Sequence, residues 1–414
     1  MNNLISFTKF HQLCIVLVAT LAFSSCQDDF MNEKAEEEFP ATNEVFKGDY
    51  ESYSPIESRF FVPLEEAREI ASRMDLSFPM SEEKVEPREV ESYMVVNQGE
   101  EPLYYIFNMY KEQGFAIISA DRRSVPVLAC GPSGSFKPGL VSSGVLVSLE
   151  EFRENILGVR EELREVNEDV MDMWMKLPGS NQEIEWFKNG RSSARYVGYT
   201  YHNRRIPAQW GQGCGYNEKL SSCGSKGSCG RVLTGCVATA TGQLMRYHQY
   251  PTYYNWHRMP YSVSSDDGIR HMGLDHLMYS LGVHLNMNYG CSASSAKTKD
   301  VRDVLVKKYN YHSSTDYKNY DIDELANSMS GYGPVILRGA TDEGCFLGFC
   351  WSKGSGHAWI TDGYWSSNYS SGRKYKYLRM NFGWNGHKDG WYYQTKSFQG
   401  YDKQKHMIVW ARPA

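Results

Sequence analysis

The stretch TGCVATATGQLM, residues 234–245, sets one cysteine behind a threonine–glycine pair and ahead of a run of small residues. Thr234 reads as an N-cap, because its hydroxyl can accept from the first orphaned N–H groups of a helix. The pattern predicts a helix running to about Gln249 and stopped by Pro251. Cys236 then falls in the first turn, against unsatisfied N–H groups and the positive end of the dipole, both of which favour thiolate over thiol. Ala238, Ala240 and Gly242 keep the helix slim enough to be buried between larger elements. On this stretch alone, a presented nucleophile and a small core cysteine are both open.

The chain has 414 residues, 41% of them hydrophobic, enough for two folded units. A net charge of −5 offers no basic face, so nucleic acid is not an expected partner. The 36 glycines, 29 tyrosines and 10 tryptophans suit a protein rich in loops and strands rather than a helical bundle.

The N-terminus predicts export. LCIVLVATLAF, residues 13–23, follows Lys9 and has the size of a signal-peptide core, too short to span a bilayer. Ser24-Ser25-Cys26 resembles a bacterial lipobox, in which the cysteine becomes the lipidated first residue. The acidic stretch after it, beginning QDDF, resembles the surface-export signal of Bacteroidota lipoproteins. The alternative is an ordinary secretory signal cut near Ser25. Either way the chain is exported, and Cys26 is the candidate outer-membrane lipid anchor.

Export changes how the other cysteines read, because spare thiols pair in oxidising compartments. If Cys236 stays free, Cys214, Cys223, Cys229, Cys291, Cys345 and Cys350 remain in the C-terminal half, an even set open to many pairings. Cys223/Cys229 and Cys345/Cys350 sit in Gly/Ser-rich stretches, and a four-thiolate zinc site is the rival idea. The tight C-x2-C spacing usual in zinc knuckles is missing. The expectation is therefore no metal and no organic cofactor.

The sequence divides near residue 190. PLEEAREIASRM, residues 63–74, is a Pro-initiated amphipathic helix with Leu64, Ala67, Ile70, Ala71 and Met74 on one stripe. LYYIFNMYKEQGFAIISADRR, residues 103–123, reads as a β-hairpin, and PVLACGPSGSF, residues 126–136, as a strand entering a loop. One long helix is expected after Gly144, ending at Pro178. The polar stretch from Gly179 to Arg195 reads as an exposed connector open to proteolysis.

Three further pieces complete a chemistry. GSGHAWITDGY, residues 354–364, places His357 at the mouth of an apolar, β-branched run, downstream of Cys236. MNFGWNGHKDGWYY, residues 380–393, offers Asn381 and Trp384 to orient and shield an imidazole. AQWGQGCGYN, residues 208–217, carries Gln209 and Gln212 around Trp210. A glutamine amide together with the Cys236 N–H would make an oxyanion hole.

In that order these segments resemble the streptopain-like cysteine peptidases of the papain clan. The resemblance implies an α+β architecture: a papain-like catalytic domain, helical part plus antiparallel sheet, behind an α+β inhibitory prodomain. It implies Cys236 as nucleophile, His357 as general base and acid, and Gln212 as the oxyanion glutamine, with Gln209 as runner-up. Trp384 matches the second tryptophan of the family's turn. Phe382 stands where the family has its first tryptophan, and Asn385 where it has the first of two glycines.

The expected organisation is a lipoprotein-type signal over 1–25, an acidic linker over 26–55, a prodomain over 56–190 and the peptidase over 191–414. Expected partners are protein and peptide substrates and the chain's own prodomain, acting as inhibitor. The family's preference for an apolar residue two before the cut points to self-cleavage between Lys188 and Asn189. A thiol acyltransferase or transglutaminase using the same pair, and a non-catalytic papain-fold adhesin, are the alternatives.

Overall fold

The computed structural model describes residues 59–79, 85–136, 143–162, 165–180, 195–263, 273–340, 356–394 and 405–414, and the backbone alone of strands at 44–46, 344–346 and 349–351. The signal and lipidation segment, the connector carrying the expected cleavage bond, and the side chains of Cys345 and Cys350 lie outside the described residues.

The N-terminal half is built on α1 (Leu64–Arg73) and an antiparallel run of strands, β2 (Val90–Gln98), β3 (Glu101–Met109), β4 (Phe115–Ser119) and β5 (Val127–Gly131). The predicted stripe of α1 holds: Ala67, Ile70 and Ala71 are buried on the sheet, and Pro63 caps the helix with its fixed φ. The hairpin is β3–β4. Strand β2 escaped the sequence reading because VESYMVVNQ alternates only weakly, and its burial is partial toward the N-terminal end.

The single long helix expected after Gly144 is two helices, α2 (Ser143–Glu162) and α3 (Glu168–Lys176). Asn167 causes the restart: its side chain accepts from the Asp169 N–H, making it an N-cap inside what reads as one apolar stripe.

The C-terminal half carries the nucleophile helix α4 (Cys236–His248), then α5 (Leu274–His284), α6 (Asp300–Tyr309) and α7 (Ile322–Tyr332). Around them run β6 (Tyr196–Asn203), β7 (Asp316–Asn319), β8 (Val335–Ala340), β11 (Gly356–Tyr369), β12 (Lys374–Asn381), β13 (Gly390–Tyr393) and β14 (His406–Val409), with β9 (Gly344–Phe346) and β10 (Phe349–Trp351) as a separate hairpin. This is the α+β plan, helices packed against a mainly antiparallel sheet.

The two halves share one sheet. Strand order is β1-β2-β3-β4-β5-β13-β12-β11-β8-β14-β7, with β1 the strand at Glu44–Phe46 and β6 added beside β11. The seam is β5 on β13, Cys130 opposite Trp391 and Ala129 opposite Tyr392. Strand alternation then sorts the core. Leu337, Trp359 and Met380 face a core shared with α2 and the N-terminal half, while Ile336, Ala358 and Ile360 face the core around α4. Each large side chain so buried contributes about 1.5–3 kcal/mol, so the seam is held by packing more than by its short ladder.

Among the described residues there are two disulfides, Cys214–Cys229 and Cys223–Cys291. Cys223 and Cys229 therefore hold other partners, which overturns the zinc alternative built on them as a pair.

Candidate active site

Helix α4 begins at Cys236 itself. Its N-cap is Gly235 rather than Thr234, because the chain enters at φ 85°, a left-handed conformation open to glycine. A Cβ there would also lie 2.8 Å from the Met287 sulfur. The Thr234 hydroxyl turns inward to Thr239 at 3.2 Å. The helix ends one residue earlier than the sequence suggests, with Gln249 at φ 49° closing it. Cys236 is buried, as is every residue from Cys236 to Arg246, so the helix is a central strut with its first N–H groups aimed at the thiol's surroundings.

The glutamine segment is tied to that helix start. The Gln212 carbonyl accepts from the Thr234 N–H at 3.0 Å, two residues before the cysteine. The Gln212 side chain is 3% exposed, and its Nε2 is buried with no hydrogen-bond partner. Gln209, the runner-up, is only half-buried and packs against Gly386. Cys214–Cys229 closes the loop just beyond Gln212, and Ser228 Oγ accepts from the Cys214 N–H at 3.1 Å.

His357 opens β11 and is fully buried. Its Nε2 donates to the Phe382 carbonyl at 2.8 Å, so a neutral ring carries its proton on Nε2 and its lone pair on Nδ1. Trp384 stacks on the ring at 5.8 Å and 20°, and Trp359 stacks at 6.0 Å and 12°. The shield expected from Trp384 is in place, and Phe382 adds a tilted ring at 6.5 Å.

Asn381 is not placed on the imidazole. Its Nδ2 donates to the Ala208 carbonyl at 2.9 Å, and its Oδ1 accepts from Gln243 Nε2 and the Gly383 N–H, both at 3.2 Å. It acts one step away, joining the glutamine segment to the turn that holds His357. The sequence reading missed Gln243, whose Oε1 also accepts from the Trp210 N–H at 3.4 Å. A fully buried amide on an otherwise small-residue helix was its available signal. Nothing in the motif could have named the Phe382 backbone carbonyl as the histidine's acceptor.

The N-terminal half reaches this site. Gly144, near the start of α2, lies so close that a Cβ there would be 2.8 Å from His357 Cδ2 and 3.2 Å from the Phe382 ring. Farther along α2, Glu151 pairs with Lys405 across the halves, and both are nearly buried. Tyr377 Oη donates to the Val127 carbonyl at 2.7 Å, and Tyr369 Oη to Asp172 at 2.9 Å.

Two known families match different parts of the chain. The Peptidase C10 family matches residues 210–253 and 252–392, and the Spi protease inhibitor family matches residues 58–156. Streptopain of Streptococcus pyogenes is 25% identical over 335 residues, 70% of this chain and 73% of its own length. The thiol protease/hemagglutinin PrtT of Porphyromonas gingivalis is 23% identical over 331 residues, 71% of this chain and 34% of that one. Among solved structures, a prointerpain A fragment of Prevotella intermedia aligns with a TM-score of 0.48 and 21% identity, covering 78% of this chain and 99% of its own. The C10 match spans the helix bearing Cys236 and the strand bearing His357, and the inhibitor match spans Gly144. Residues 210–392 are thus a Peptidase C10 segment of the streptopain-like cysteine peptidase type, preceded by a Spi-type inhibitor propeptide over residues 58–156.

Proposed function

We propose that the chain is the exported zymogen of a cysteine endopeptidase working through Cys236 and His357, anchored by a lipid on Cys26 and activated by its own cut between Lys188 and Asn189. The observation that carries the catalytic part is the Gln212 amide. A buried donor without an acceptor costs about 1–3 kcal/mol, and this one sits in the segment bonded to the residue before the Gly235–Cys236 helix start. A developing oxyanion is the acceptor that such a donor, with the first N–H groups of α4, is arranged to meet.

The steps follow from the parts. The Cys236 proton passes to His357 Nδ1, and the sulfur bonds to the scissile carbonyl carbon. The negative oxygen is held by Gln212 Nε2 and the helix-start N–H. His357 gives its proton to the leaving amine as the C–N bond breaks, leaving a thioester. Water, deprotonated by His357, then releases the acid and restores the thiol. Phe382 and Trp384 keep the ring oriented and dry throughout.

Latency follows from α2. With Gly144 against His357 Cδ2 and Phe382, peptide backbone of the propeptide occupies the space beside the imidazole. Within the connector, Trp186 and Phe187 precede Lys188 and Asn189, giving an apolar residue two before the proposed cut. Cys236→Ala and His357→Ala should each leave a folded, uncleaved precursor without peptidase activity. Thiol-inhibitor-sensitive hydrolysis surviving in Cys236→Ala contradicts the assignment.

A further inference from the structure

Asp389 has no part in the mechanism above, yet it closes the turn that holds the histidine. It lies between β12 and β13 and is 2% exposed. Its Oδ1 accepts from the Phe382 N–H at 3.0 Å, while its Oδ2 is buried with no hydrogen-bond partner. The same residue, Phe382, offers its carbonyl to His357 Nε2 at 2.8 Å. One bond therefore fixes Phe382 on its N–H side and the other is made from its C=O side, so the aim of the carbonyl depends on the carboxylate. The turn between them is short and tight, with the His387 N–H on the Trp384 carbonyl at 2.9 Å and the Asp389 N–H on the Gly386 carbonyl at 3.3 Å.

A buried acid is a costly way to close a turn, since desolvating a carboxylate is unfavourable unless it is paired. Arg379, whose charge favours the ionised form of Asp389, bonds both oxygens of Asp362 at 2.7 Å. Burial pushes the Asp389 carboxyl up to about 7; Arg379 and the Phe382 N–H pull it down, and Asp362 raises it further.

We propose that Asp389 is the positioning residue for His357, holding Phe382 so that its carbonyl keeps the imidazole in the orientation that transfers the Cys236 proton. The proposal rests on the reading of Cys236 and His357 as the catalytic pair. Asp389 touches neither substrate nor reacting atoms; it acts through one backbone residue. A misaimed base should slow chemistry and leave substrate binding nearly intact.

The test uses full-length chains carrying Asp389→Asn or Asp389→Leu, allowed to convert, with kcat normalised to thiols titrated by an epoxide inhibitor, and His357→Ala assayed in parallel for conversion and peptidase activity. Asp389→Asn keeps an acceptor for the Phe382 N–H, and Asp389→Leu keeps the volume without one. Asp389→Leu should lower kcat about 10- to 100-fold, the scale of a catalytic group misplaced by an ångström. KM should stay within about threefold, marking an interaction that acts at the transition state. Asp389→Asn should recover most of the lost kcat, which a role in folding alone would not separate from KM. Wild-type kcat in Asp389→Leu, or equal losses in both variants, overturns the positioning role while an inactive His357→Ala leaves the catalytic pair standing. An active His357→Ala overturns the pair and the proposal with it.

Discussion

Replacing Gly144 tests whether the propeptide silences the enzyme through the histidine. A Cβ at Gly144 would sit 2.8 Å from His357 Cδ2 and 3.2 and 3.3 Å from two atoms of the Phe382 ring. Carbon atoms rest at about 3.5–4.0 Å, so Gly144→Ala is about 1 Å too close on the histidine side. Both neighbours are rings stacked into a buried cluster and give way poorly. Overpacking of this kind costs about 1–3 kcal/mol. The helix-propensity gain of alanine acts on α2 whether it is docked or released, so it does not offset the clash. The docked-to-released ratio should therefore fall about 5- to 150-fold, at 1.4 kcal/mol per tenfold. The assay is the rate at which uncut precursor is labelled by an epoxide thiol inhibitor, which samples the released state. Labelling and self-conversion should both accelerate by that factor. The proposed cut after Lys188 would remove residue 144, so on that proposal the kcat of the converted enzyme should equal that of wild type. A Gly144→Ala precursor labelled at the wild-type rate would refute latency through this contact.

Gln212→Leu removes the amide and keeps most of the volume. It should lower kcat about 100- to 1000-fold, the effect of losing one oxyanion donor. Because the lost Nε2 has no partner in the resting protein, the urea midpoint should not fall; a stability loss with unchanged kcat would make Gln212 a structural residue. The Asp389 carboxyl, pushed up to about 7 by burial, holds its proton more tightly folded than unfolded. Its contribution is thus complete below the unfolded value near 4 and is lost as pH rises through about 7. The loss amounts to at most about 4 kcal/mol. Urea midpoints of the uncleaved Cys236→Ala precursor should fall between pH 4 and 8, and adding Asp389→Asn should flatten that slope; an unchanged slope removes Asp389 as its source.

The parts of the site that rest on side-chain chemistry were legible in the sequence, and the parts that rest on backbone were not. Cys236 could be placed at a helix start because small residues and a proline stop bracket the helix, and His357 at a strand mouth because a β-branched run follows it. Thr234 misled as a cap because its hydroxyl has a better partner in Thr239, and the positive φ of Gly235 leaves no trace in the pattern. The α2–α3 break hid behind an unbroken apolar stripe that Asn167 interrupts only by its cap bond. Asn381 carries the amide expected for the orienting role, yet tertiary packing turns it toward Ala208 and gives the histidine to the neighbouring carbonyl. The sheet shared across β5 and β13 depends on pairing between distant segments, which local periodicity cannot specify.

The most direct test of the account is to label the matured protein with an epoxide-type thiol inhibitor and map the modified peptide. Among the described residues, Cys130 and Cys236 are the thiols outside disulfides, and both are buried. Cys130 lies in the inhibitor half, where burial pushes its thiol far above the ordinary range. The account predicts one label per molecule, on the peptide containing Cys236, with complete loss of peptidase activity. Inactivation with the label on any other cysteine, or full activity after Cys236 is modified, would contradict it.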